Sequence, residues 1–173
     1  MTLQKKATVV ATIVAGFLTI IKFAIGIASG SVAVLASAMD SILDMAVSIF
    51  NFFAISKSEQ PADEHFNYGK GKIEALASVI EGTIIALSGA FLFYLAIEKY
   101  INGEQSKMLN TSMIVMAVSV VVTLALVTYL DYVAKKTDSM VVKADSLHYK
   151  TDVYTNIAVL ISLFAVWFFK AEI

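Results

Sequence analysis

The sequence predicts an all-α protein, a polytopic bundle of transmembrane helices with five spans and a cytoplasmic amino terminus. Of its 173 residues, 58% are hydrophobic and 16% are charged, whereas ordinary soluble domains are about 45–50% apolar. The apolar residues also collect into five runs, each long enough to cross a hydrocarbon layer of about 30 Å at about 1.5 Å per residue. A soluble domain of this size builds its core without such runs, so the pattern is typical of a membrane protein.

The five predicted spans follow one another with short polar connections. In chain order they cover Ala7–Ala28, Val32–Ile55, Ile73–Ile101, Leu109–Val133 and Ala144–Phe169. The first span follows Lys5 and Lys6 as the apolar part of a signal peptide would, but it is too long for one and contains Lys22. We therefore expect it to remain in the mature protein, and we expect residues 1–173 to form one transmembrane domain.

The connections and the span ends complete the predicted order. Residues 29–31 form a tight turn between the first two spans, and the longer polar loop 56–72 joins the second span to the third. The third span is long enough to project from the membrane. The fifth ends in the aromatic segment 167–169 next to Lys170, a combination typical of an anchor at the membrane–water interface.

The distribution of lysines predicts the orientation of the spans. Eight lysines flank one side and three flank the other, and the side richer in lysine is normally the cytoplasmic one. The larger group comprises Lys5, Lys6, Lys57, Lys70, Lys72, Lys135, Lys136 and Lys143, and the smaller comprises Lys99, Lys107 and Lys170. The amino terminus is therefore expected in the cytoplasm.

Composition also argues against several classes of function. The net charge is -1 and all thirteen positive residues are scattered lysines, so we expect no nucleic-acid partner. The chain has no cysteine, which excludes disulfides and thiolate metal sites. No nucleophile–base pair, phosphate loop or redox motif is apparent, so we expect neither an enzyme nor a catalytic cofactor.

Two pairs of potential metal ligands stand out within the apolar spans. Asp40 and Asp44 lie four residues apart in the second span, and His148 and Asp152 lie four residues apart in the fifth. A four-residue spacing places both members of a pair on one helical face. At about 1.5 Å per residue, Asp44 lies about 18 Å below the outer start of its span and Asp152 about 12 Å above the inner start of its own. Together these depths equal about one bilayer core, so the two pairs can meet.

Buried carboxylates in a membrane require a partner. An acidic side chain at the bilayer centre costs about 2.5–3.5 kcal/mol on insertion scales. One interpretation is that the acids are protonated, or pair with Lys22 and Lys150 and hold the bundle together. The other is that three carboxylates and an imidazole bind Zn²⁺, Cd²⁺, Fe²⁺ or Mn²⁺, with tetrahedral geometry favouring zinc.

His148 also suggests how binding is coupled to protons. A neutral imidazole binds metal and a protonated one does not, and the unperturbed pKa of histidine, about 6.5, lies within the physiological range.

Four other charged residues in or near the spans lack the paired spacing: Lys22, Glu81, Asp145 and Lys150. We expect Asp145 and Lys150 to lie in the cytoplasmic vestibule.

These two pairs, together with the Pro-Ala-Asp and Gly-Lys-Gly-Lys sequences of segment 60–75, resemble the cation diffusion facilitator family, closest to its bacterial zinc and iron exporters. The resemblance covers nearly the whole chain. It implies a transport site formed by Asp40, Asp44, His148 and Asp152. It also implies metal efflux driven by proton entry, in a homodimer in the inner (plasma) membrane, with the metal as substrate.

The chain departs from the family pattern in two places. Members usually have six membrane helices and a cytoplasmic domain, so we expect the sixth helix and that domain to be absent here. Bacterial members also often bind a second metal in the loop through an aspartate and two histidines. Asp63 fits that pattern and His65 lies near one histidine position, which makes both secondary candidates, but Lys70 stands at the other. Because an ammonium group cannot bind a metal, we expect a solvated loop.

Two further functions fit the same sequence. A different proton- or cation-coupled carrier would use the same acids as a relay without tetrahedral coordination. A truncated, non-transporting membrane scaffold would retain Asp40, Asp44, His148 and Asp152 only as a remnant of a transporting ancestor.

Overall fold

The computed structural model describes residues 1–29, 32–64, 66–102 and 109–170, and these residues are almost entirely helical. The five helices are α1 (Leu3–Ser29), α2 (Val32–Ser58), α3 (Lys72–Asn102), α4 (Leu109–Thr137) and α5 (Met140–Lys170). The predicted all-α bundle is confirmed. Each helix contains one predicted span and differs from it by four residues at most at either end.

Within the part of the chain that the structure describes, four of these helices contain segments that are long and apolar enough to cross a membrane. The segments are Leu3–Ala28, Ser37–Ser58, Lys72–Phe91 and Met113–Thr137. Helix α5 is equally long, and its first half carries four charged residues, Lys143, Asp145, Lys150 and Asp152, whereas residues 153–169 carry none. The charged half of this helix is therefore the one that carries half of the predicted site.

A tight turn sets α5 antiparallel to α4. Asp138 adopts a positive φ of 52°, a conformation that aspartate tolerates better than most residues and that commonly ends a helix. Its backbone N–H donates to the carbonyl of Ala134 at 2.9 Å. The Ser139 hydroxyl then accepts a hydrogen bond from the backbone N–H of Val142 at 3.3 Å, which caps the start of α5.

Among the residues whose side chains are described, the buried core lies toward one end of the bundle. It combines the starts of α1, α3 and α5 with the ends of α2 and α4, and its members are Ala7, Ala11, Ala54, Ile55, Ala77, Leu126, Val127, Leu130, Val133, Val141, Val142, Tyr149 and Val153. Helix α1 packs along α2 and α4 along α5, while α3 contacts α2 and α5. By the predicted orientation, this is the cytoplasmic end.

Many large apolar side chains point away from this core. Ile13, Ile20, Leu87 and Phe93 are each at least 65% exposed in the isolated chain. In water such a surface would be unfavourable, but lipid chains are as apolar as these side chains. The pattern fits a bundle whose outer surface contacts lipid.

Candidate metal site

Helices α2 and α5 bring three of the four predicted ligands together. Asp44, His148 and Asp152 each offer one ligand atom, and these atoms lie within 4.8 Å of one another. His148 Nε2 lies 3.0 Å from Asp44 Oδ1 and 3.9 Å from Asp152 Oδ2. The carboxylates are half-buried and the histidine is buried, so the three groups form a compact cluster inside the bundle.

The geometry follows from the spacing along each helix. Asp152 lies one turn after His148 on α5 and points to the same face. A hydrogen bond between the hydroxyls of Ser48 and Tyr149, 3.0 Å apart and buried, joins α2 to α5 beside the cluster. Because Ser48 and Tyr149 are neighbours of the ligands on their own helices, this bond fixes the depth at which the two helices meet.

Asp40 does not join this cluster. It lies one turn before Asp44 on α2, and its side chain is exposed. Its carboxylate interacts electrostatically with Asp44 and Lys22, but among the described residues the group within 4.8 Å contains only the other three. Its predicted role as a ligand stays a prediction.

The lysines that could have neutralised the acids have other direct partners. Lys150 forms an ion pair with Asp131 on α4, with an Nζ to Oδ2 distance of 2.6 Å. Lys22 is buried and donates to the Ser41 hydroxyl at 2.8 Å and to the Ser37 carbonyl at 3.3 Å. Pairing of Lys150 with the site, one of the two interpretations above, is therefore not what the structure contains.

Lys22 nonetheless contributes charge to the site. Its ammonium group interacts electrostatically with Asp44, Asp152 and Asp40, although it forms no ion pair within 4 Å among the residues described. It offsets part of their negative charge without occupying the position between the ligand atoms.

A second buried polar cluster was missed by sequence reasoning. Asn51 on α2, Glu81 on α3 and Asp145 on α5 are 0%, 1% and 0% exposed. The Asn51 side-chain amide donates to Glu81 Oε2 at 3.1 Å. The expectation that Asp145 lies in a vestibule is wrong, because it sits one helical turn before His148 and shares its inward face. That three-residue spacing from His148 was the available signal.

In the loop between α2 and α3, a lysine already pairs with the candidate aspartate. Lys70 Nζ lies 2.7 Å from Asp63 Oδ2 and also donates to Gln60 Oε1 at 3.1 Å. Asp63 further accepts a hydrogen bond from the backbone N–H of Phe66 at 2.9 Å. His65, the other loop candidate, lies outside the described residues. The one described candidate therefore already has a cationic partner within the chain.

Comparison with known proteins, like the cluster of possible metal ligands, indicates a protein that handles cations. Residues 8–173 match the sequence model of a family described as the cation efflux transmembrane domain. Over 166 residues the chain is 38% identical to the cation-efflux pump FieF of Klebsiella pneumoniae, and 39% identical to FieF of Cronobacter sakazakii and of Serratia proteamaculans. Each alignment covers 96% of this chain and 55% of the relative. The chain thus spans about half the length of the curated relatives it matches.

Proposed function

The chain belongs to the cation efflux family, as its motifs predicted, and on that premise we propose that it carries a divalent metal ion, most readily Zn²⁺, across the membrane in exchange for protons. The observation that carries this proposal is the convergence of Asp44, His148 and Asp152, whose ligand atoms lie within 4.8 Å of one another. A divalent ion bound among them would touch all three groups at once.

The chemistry of the ligands favours zinc among the divalent metals. Carboxylate oxygens and a neutral imidazole nitrogen are ordinary ligands of Zn²⁺, with bond lengths of about 2.0–2.2 Å. Fe²⁺, Cd²⁺ and Mn²⁺ accept similar ligands. We propose Asp40 as the fourth ligand, since it lies one turn before Asp44 on α2 and interacts with it electrostatically; its exposed carboxylate would have to turn toward the other three ligands to bind the same ion. The metal is the substrate of this site rather than a resident cofactor.

The charges of the site suit a divalent ion in particular. Three carboxylates, those of Asp40, Asp44 and Asp152, contribute three negative charges when ionised, and the Lys22 ammonium offsets one of them. A divalent cation offsets the other two. Since an uncompensated charge within a membrane is strongly unfavourable, the site gains most from an ion of charge +2.

Protons compete with metal for the same groups. His148 binds a metal through a ring nitrogen only when that nitrogen carries no proton, and the carboxylates likewise bind metal in their ionised forms. Metal loading on the cytoplasmic side therefore releases protons, and protonation from the outer side releases metal. An inward proton gradient would drive metal outward in this way.

We further propose that the protein acts as a homodimer in the plasma membrane and is not an enzyme. The homodimer and the lack of enzymatic activity rest on the family, and the membrane location rests also on the large exposed apolar surface of the isolated chain. Because the chain spans about half the length of its relatives, the activity of the whole protein is part of the proposal.

Metal flux into sealed vesicles tests the proposal. We expect the purified chain, reconstituted in liposomes that contain a zinc-sensitive dye, to move external Zn²⁺ inward when the lumen is more acidic than the medium. The matched control is Asp152→Asn, which keeps the size of the side chain and removes its charge, and it should show only the leak of protein-free vesicles. A folded wild-type chain that binds zinc without moving it would instead support the scaffold function.

Removal of the loop carboxylate should leave this site unaffected. In Asp63→Ala we expect zinc affinity to remain within about tenfold, or about 1.4 kcal/mol, of the wild-type value. The reason is that Asp63 is paired with Lys70 at 2.7 Å and lies in the loop rather than within the membrane. Zinc-binding isotherms of the two proteins measure the difference, and a larger loss would show that the loop contributes to metal binding.

A further inference from the structure

The buried cluster of Asn51, Glu81 and Asp145 supplies no ligand to the site proposed above, although its acids interact electrostatically with His148. Each residue comes from a different helix, and none is more than 1% exposed. The hydrogen bond from the Asn51 amide to Glu81 Oε2 holds two of them together, and Glu81 and Asp145 interact electrostatically as neighbours. Two carboxyl groups and an amide thus converge within the bundle.

Most oxygen atoms of this cluster lack a well-placed hydrogen-bond donor. Asn51 Oδ1, Glu81 Oε1 and both carboxylate oxygens of Asp145 are buried and accept no hydrogen bond of ordinary geometry from the described residues, while the Asp145 carboxyl lies close enough to Glu81 and Asn51 to share a proton or an N–H with them. Buried polar atoms are almost always paired, and an unpaired one is destabilising. A proton shared between the two acids, together with an Asn51 N–H directed at Asp145, would engage at most three of these four oxygens and would leave Asn51 Oδ1 without a donor. A cation bound among them could engage all four.

No lysine of the described interior serves as that cation. Lys22 donates to Ser41 and Ser37, and Lys150 is paired with Asp131. Carboxylate and amide oxygens are hard ligands of the kind that Mn²⁺, Mg²⁺ and partly hydrated divalent ions accept. The chemistry of the cluster therefore points to a divalent cation held through oxygen alone.

The cluster lies next to the site of Asp44, His148 and Asp152, and on one side of it. Asn51 comes two turns after Asp44 on α2, about 10 Å along the helix, and Asp145 comes about 4.5 Å before His148 on α5. Both displacements lead toward the end of the bundle where α2 ends and α5 begins. By the predicted orientation, that end faces the cytoplasm.

We propose that Asn51, Glu81 and Asp145 form a second divalent-cation site, which holds the metal between the cytoplasm and the transport site. Its role in transport rests on the proposed function, whereas its ability to bind a cation does not. Ions pass through a membrane protein efficiently when binding is strong enough for entry and weak enough for release, which a series of sites provides. A site without imidazole should hold zinc less tightly than the neighbouring site with His148, so the metal would pass from the weaker site to the tighter one.

Manganese binding to the full chain tests the proposal directly. In an Asp152→Ala background, where the transport site lacks a ligand, we expect one Mn²⁺ per chain to remain bound, counted by equilibrium dialysis and by the loss of the free-ion electron paramagnetic resonance signal. Adding Glu81→Gln or Asp145→Asn should remove it, because each change replaces a carboxylate by an amide of the same shape. Glu64→Gln, which alters an exposed loop acid, is the matched control and should retain it.

The same two substitutions in the otherwise wild-type chain keep the test valid if Asp152→Ala does not fold. There we expect the number of bound Mn²⁺ ions to fall by one while the tightest zinc isotherm stays unchanged. An unchanged Mn²⁺ count in both folded amide variants would overturn the second site and leave the transport site intact. If both Asp152→Ala and Asp44→Ala still bind zinc as the wild type does, the proposed function is contradicted instead. The two failures are therefore distinguishable.

Discussion

Replacing Asp44 or Asp152 by alanine is expected to abolish high-affinity zinc binding. Each substitution removes one of three ligand atoms that lie within 4.8 Å of one another, and the half-buried position limits how well water can replace it. Loss of a group that merely orients a zinc ligand typically weakens binding by about 10–100-fold. Loss of a ligand itself should exceed that range.

Isothermal titration calorimetry with Zn²⁺ on the purified variants measures this effect. Helical circular dichroism and size-exclusion profiles establish that each variant is folded. Asp131→Asn is a suitable control, because Asp131 is a charged residue of a membrane helix whose partner is Lys150 rather than a metal ligand. Unchanged stoichiometry and affinity in folded Asp44→Ala and Asp152→Ala would show that the metal binds elsewhere.

Zinc binding is also expected to weaken as the pH falls from about 7.5 to about 5.5, the range in which an ordinary histidine gains a proton. The metal-bound site holds fewer protons than the free site, because metal and proton occupy the same atoms. If one proton is displaced, the dissociation constant should rise by up to about tenfold for each unit of pH lost. Acid therefore opposes binding.

The variant His148→Asp separates the imidazole from the carboxylates. It keeps an oxygen ligand at the position where His148 Nε2 lies 3.0 Å from Asp44 Oδ1, but it replaces a group of reference pKa about 6.5 by one of about 3.9. The acid-induced loss of zinc binding should therefore move to lower pH in the variant. The substitution should also change the number of protons released near neutral pH.

Calorimetric titrations across this pH range, repeated in buffers of different ionisation enthalpy, count the protons released with each metal ion. The wild-type chain should release protons upon binding zinc. An identical pH profile in His148→Asp, or no proton release in the wild type, would rule out exchange through His148.

Much of this protein could be predicted from periodicity and length. Five apolar runs gave five helices, since a backbone within lipid must pair its own hydrogen-bonding groups and the helix does so locally. The spacing of Asp44, His148 and Asp152 predicted their meeting, because rise per residue fixes depth along a helix and a four-residue step fixes the face. These quantities depend on one helix at a time.

Tertiary structure alone decided what each inward face meets. The sequence did not reveal that Lys150 pairs with Asp131, that Asp40 lies outside the cluster of three ligands, or that Asp145 is buried beside Asn51 and Glu81. The physical reason is that the rotation of a helix about its axis, and its distance from its neighbours, are set by side-chain packing across several helices at once. Spacing within a single helix defines which residues share a face, but only the assembled bundle determines the partner of that face.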